Sequence, residues 1–105
     1  MENKSTKFKV SKGKPILGAT INQKGVNFGV YTRNGSSVII ELYDHYFEDK
    51  PSFSYILDKK VNRTGDIWHV FIEGIGPGFT YGWRVDGPYE PYKGFRFKCN
   101  KLLLD

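Results

Sequence analysis

Phe79–Asp86 reads FTYGWRVD, and its alternation decides the fold class. Tyr81, Trp83 and Val85 fall on one side of an extended chain, with Gly82, Arg84 and Asp86 on the other. That period of two marks a half-buried strand. Working outward, Ile67–Glu73 (IWHVFIE) repeats it with Trp68, Val70 and Ile72. Ser37–Asp44 (SVIIELYD) does so with Val38, Ile40 and Leu42, and Val26–Thr32 (VNFGVYT) with Val26, Phe28 and Val30. Ser52–Leu57 is a shorter aromatic run. Pro15–Ile21 (PILGATI) predicts an edge strand, since proline is tolerated at an edge or a strand start. The tryptophans share faces with aliphatic and aromatic residues, which places Trp68 and Trp83 in the core.

Turn signals separate these runs: Lys24-Gly25, Arg33-Asn34-Gly35, Thr64-Gly65-Asp66, Gly76-Pro77-Gly78 and Asp86-Gly87-Pro88. No helix of useful length can be written. Short strands with turns at this spacing predict an all-β, immunoglobulin-like antiparallel β-sandwich. With 105 residues the chain fits one domain. Its aromatic share of 16% suits pleated, half-buried surfaces.

The net charge of +5 is unevenly distributed. Residues 1–15 carry Lys4, Lys7, Lys9, Lys12 and Lys14 against Glu2 alone, so the remaining chain is close to neutral. Residues 1–14 therefore read as a flexible basic tail and 15–95 as the sandwich, leaving 96–105 as a closing strand or a junction. A basic tail on a neutral body is a weak footprint for phosphate backbones, and no nucleic-acid partner is expected. The first residues hold no apolar run and no stretch reaches membrane-spanning length, so neither a signal peptide nor a membrane partner is expected. Cys99 is the single cysteine, an inert thiol compatible with a reducing cytoplasm.

Catalytic chemistry is missing from the pattern. His45 and His69 are the two histidines, and neither has a second ligand type at metal spacing, so no metal and no cofactor are expected. No nucleophile elbow accompanies them. Asp44, Glu48 and Asp49 cluster near a strand end and read as an acidic loop rather than a glycosidase pair. No catalytic residue is assigned. Leu102, Leu103 and Leu104 form an apolar run that reads either as a last strand on the core or as a junction to a partner.

The order of the pieces is more specific than any one of them. The chain carries ILGATI, then GVNF at Gly25–Phe28, a Trp68-His69 strand and a Pro77-Gly78 turn. YGWRVDGPY follows at Tyr81–Tyr89, then Arg96-Phe97 and NKLLLD at Asn100–Asp105. This resembles the N-terminal domain of isoamylase-type glycogen debranching enzymes, a family 48 carbohydrate-binding module, over nearly all of residues 15–105. Trp83 stands where that family usually has tyrosine, and Lys98-Cys99 where it usually has asparagine and often proline.

The resemblance implies a non-catalytic accessory domain of an α-1,6-glucan debranching glycoside hydrolase, whose catalytic carboxylates lie in a (β/α)8 barrel following the position of Asp105. That barrel is the implied partner, and glycogen or branched maltooligosaccharide a weak one. By position, the family's sugar-stacking aromatics correspond to Tyr46 and Phe47, and to Tyr89 with Tyr92 nearby. For Tyr89, stacking on sugar stands beside packing against the barrel; for Tyr46 and Phe47, beside packing at the sandwich edge. His69, Arg84, Arg96 and Leu102, Leu103 and Leu104 are the candidates for the domain interface. The alternative is an autonomous α-glucan binding module.

Overall fold

A computed structural model of the chain describes residues 8–33, 35–43, 50–76, 78–86, 92–93 and 97–98. They form ten strands: β1 (Lys9–Ser11), β2 (Gly18–Ile21), β3 (Gly25–Tyr31), β4 (Ser37–Tyr43), β5 (Phe53–Ile56), β6 (Arg63–Thr64), β7 (Ile67–Glu73), β8 (Thr80–Asp86), β9 (Tyr92–Lys93) and β10 (Phe97–Lys98). One sheet runs β1-β7-β3-β2, with β6 also on β7; the other runs β10-β8-β4-β5, with β9 also on β8. Every pairing is antiparallel, and the two sheets pack as the sandwich expected from the alternation.

The inward faces are those read from the sequence. Val26, Phe28, Val38, Ile40, Leu42, Val70 and Ile72 are fully buried. Trp68 and Trp83 are 1% and 5% exposed. Phe28 and Tyr81 meet across the sheets with ring centroids 4.6 Å apart. Burying side chains of this size contributes roughly 1.5–3 kcal/mol each, which is what lets a chain this short hold a core. The edge strand expected within Pro15–Ile21 is β2, bonded only to β3.

The basic segment departs from expectation. Phe8 is buried, stacked 4.8 Å from Phe53 and edge-on 5.7 Å from Phe79. Lys9–Ser11 pairs with Phe71–Glu73 of β7. A flexible tail to residue 14 is therefore corrected: from Phe8 onward the segment belongs to the sandwich. Burial of Phe8 and satisfaction of an open stretch of β7 outweigh the lysines, whose charged ends need only reach water.

Residues 12–14 then cross the outer face of the first sheet as a strap. Asn27 fastens it: Lys14 N–H donates to Asn27 Oδ1 (2.7 Å), and Asn27 Nδ2 donates to the Lys14 carbonyl (3.1 Å). Gly13, at φ +75°, lies so close to β7 that a Cβ there would stand 2.7 Å from the Val70 carbonyl carbon.

Of the junction expected at 96–105, Phe97 and Lys98 are described, as β10. They pair with Tyr81 and Thr80 on the edge of β8 opposite β4. Leu102, Leu103 and Leu104 lie outside the described residues.

Candidate functional site

The outer face of the second sheet is built from β4 and β8 in register. Ile39, Glu41 and Tyr43 stand opposite Arg84, Gly82 and Thr80. On β5, Ile56 stands opposite Ile39 and Ser54 opposite Glu41. Glu41 organises the centre of this face. One carboxylate oxygen accepts from Tyr43 Oη (3.1 Å), and the other faces the Arg84 guanidinium, 3.2 Å from Nη2. Arg84 is 57% exposed in its side chain and Glu41 13%. Ile56 is 67% exposed beside this pair. Both Glu41 oxygens are thus engaged, and the face suits binding better than proton transfer, which needs an acid or base free to reach its substrate.

The two sugar-binding positions expected from the sequence attach to opposite ends of this sheet. Tyr46 and Phe47 follow Tyr43, which pairs with Thr80; Tyr89 follows Asp86, which pairs with Ser37. Two seven-residue antiparallel strands separate these attachment points by about 20 Å. Tyr46, Phe47 and Tyr89 lie outside the described residues, as do Arg96 and the acidic Asp44, Glu48 and Asp49. Tyr92 takes the register position opposite Val85, at the start of β9.

Of the interface candidates, Arg84 is exposed on this face, as its place in the alternation requires. His69 is not available to any partner. It is fully buried, with Nδ1 2.8 Å from the Lys12 carbonyl and Nε2 2.8 Å from Thr64 Oγ1. The carbonyl can only accept, so Nδ1 donates to it, and Nε2 pairs with the threonine hydroxyl, which can serve as donor or acceptor. The domain-interface expectation for His69 is corrected: the strap covers the outer side of β7 where the imidazole emerges, and the ring holds the strap. Glu41 was missed because the alternation shows only that it points outward, whereas its partners come from strand register. Phe8 and Val10 are two apart amid lysines, a period-two signal present but masked by the charge.

With this geometry in hand, comparisons with known proteins add the family. Residues 16–105 match the family model described as Carbohydrate-binding module 48 (Isoamylase N-terminal domain). A glycogen debranching enzyme of Pectobacterium carotovorum subsp. carotovorum (strain PC1) is 39% identical over 89% of this chain and 13% of its own length. The chloroplastic isoamylase 3 of Oryza sativa subsp. japonica is 38% identical over 100% of this chain and 14% of its own. The chain thus spans only about an eighth of the relatives it matches. In shape it resembles a pullulanase of Paenibacillus barengoltzii, crystallised as a mutant with maltotriose, at a TM-score of 0.68 over 86% of this chain and 15% of that one, with 17% identity. The shape and the sequence match agree, and the chain belongs to the family of carbohydrate-binding module 48, the isoamylase N-terminal domain.

Proposed function

We propose that this chain serves as the non-catalytic accessory domain of an α-1,6-glucan debranching enzyme of isoamylase type. In this reading it buttresses a catalytic (β/α)8 barrel, makes at most weak contact with glycogen or branched maltooligosaccharide, and works in the cytoplasm. The observation that carries it is the match to debranching relatives over nearly the whole chain. The outer face of the second sheet supports it. Ile39 and Ile56 offer apolar area beside the Arg84–Glu41 pair, a mixture typical of surfaces where domains of one chain meet.

The test mixes the chain with a debranching relative lacking its own N-terminal domain. Co-elution, with a gain in pullulan-cleaving activity or thermal stability over the truncated relative, is the expected result. The absence of both, together with micromolar binding of maltoheptaose by the chain alone, would transfer the assignment to an autonomous glucan-binding module.

A further inference from the structure

The outer face of the first sheet carries a groove of about 420 Å³, on the opposite side of the sandwich from Arg84 and Glu41. Its floor is a single register row across four strands. Ser11 of β1 stands opposite Phe71 of β7, Phe71 opposite Asn27 of β3, and Asn27 opposite Thr20 of β2. Phe71 is half-buried and is the one aromatic side chain among the described residues of the lining. Lys14 and Lys24 line the groove from the strap and from the β2–β3 turn, and no carboxylate is present among its described residues.

Both walls are fixed by asparagine side chains. The Asn27 amide holds Lys14 in place through the two main-chain bonds already described. Asn22 Oδ1 accepts from Lys24 N–H (2.7 Å) and from Gly25 N–H (3.0 Å), fixing the turn that bears Lys24. Asn22 Nδ2 remains as a donor at the groove. Gly13 has no room for a side chain, so the strap is held against β7 rather than resting loosely on the sheet.

We infer that this groove binds a sugar phosphate. The polar groups of its described lining are rich in donors: the Lys14 and Lys24 side chains, the Asn22 amide, and the Ser11 and Thr20 hydroxyls, which can also accept. That set favours an oxyanion, to which charge-assisted hydrogen bonds are the strong ones. A neutral oligosaccharide offers hydroxyl hydrogens as well, and the described lining has hydroxyls but no carboxylate to receive them. The volume lies in the range of small-molecule sites and far exceeds a bare phosphate ion. Phe71, central in the row, supplies an apolar face for the ring that carries the phosphate. The inference stands independently of the accessory role, since it concerns the other sheet.

The test is a two-dimensional NMR titration of the full 105-residue chain with glucose 6-phosphate, alongside separate titrations with glucose and with inorganic phosphate. Amide shifts should concentrate at Ser11, Thr20, Lys24 and Phe71, with affinity about tenfold or more above either fragment. Lys24→Ala should weaken binding about tenfold while Lys24→Arg retains most of it, because the charge and not the main-chain turn is altered. Thr20→Val should weaken binding several-fold. The inference is overturned if inorganic phosphate binds as tightly as the sugar phosphate, if the shifts centre elsewhere or are absent, or if Lys24→Ala binds normally with a well-dispersed spectrum.

Discussion

His69 Nδ1 donates to the carbonyl of Lys12, a residue 57 positions earlier in the chain, and this bond ties the strap to the central strand of its sheet. The ring is fully buried, so neither of its nitrogens can turn to water if a partner is lost. His69→Ala should therefore destabilise the domain by roughly 2–4 kcal/mol, from the lost bonds to the Lys12 carbonyl and Thr64 hydroxyl and from the space left behind. Thr64→Val should cost less, about 1 kcal/mol, since one neutral hydrogen bond is removed. Urea unfolding of both variants checks the ranking, and an equal or reversed order would show that the strap bond is not the main contribution.

Gly13 tests the strap from its other side. An alanine there would hold a φ of +75° and press its Cβ to within 2.8 Å of Asn27 Oδ1. The left-handed conformation alone costs about 1–2 kcal/mol, and the clash adds to it. Gly13→Ala should lower the urea midpoint and shift the Asn27 side-chain amide resonances. A midpoint equal to that of the parent would mean that the strap moves aside freely.

Phe8 extends the core beyond the two sheets by touching Phe53 and Phe79. Phe8→Ala should cost about 3 kcal/mol, the lower end of the range for buried phenylalanine. A loss below about 0.5 kcal/mol, the range of an ordinary surface substitution, would return the segment to the status of a tail.

Trp68 and Trp83 should give blue-shifted emission that resists acrylamide quenching. Among the described residues Trp68 Nε1 is buried without a hydrogen-bond partner. Trp68→Phe therefore removes volume but no hydrogen bond, and should be much milder than the roughly 3–5 kcal/mol of Trp68→Ala. Quenching as strong as that of free tryptophan would contradict the burial of both rings.

The chain alone should release no reducing sugar from glycogen, pullulan or maltooligosaccharides. On the outer face of the second sheet, the Glu41 carboxylate is held on both oxygens by Tyr43 and Arg84. Release above buffer from a clean preparation, lost in Glu41→Gln, would reverse this.

The inward faces were legible because burial on one side of a strand leaves a period of two, and Trp68 and Trp83 kept company that only a core accounts for. Strand register was not legible, and the Glu41–Arg84 pair depends on it, since the partners are 43 residues apart in sequence. His69 misled for a related reason. Its place in the alternation is outward, and outward normally means solvent, but the strap lies over it. The strap itself was hidden because lysines dominate residues 4–14, while the residues that fix it, Asn27 and His69, sit far along the chain.

β7 and β8 share a further arrangement. Each is bonded along one side by a full-length neighbour, β3 or β4, and along the other by two short strands end to end: β1 and β6 on β7, β9 and β10 on β8. Between β1 and β6 the ladder is bridged by His69 N–H donating to the Asn62 carbonyl (2.8 Å). The remaining outer strands, β2 and β5, have four residues each. No border of either described sheet therefore presents a long unbroken row of open donors and acceptors to a second molecule. Such rows template amyloid-like stacking, and interrupting them guards a β-rich chain against polymerising through its own backbone.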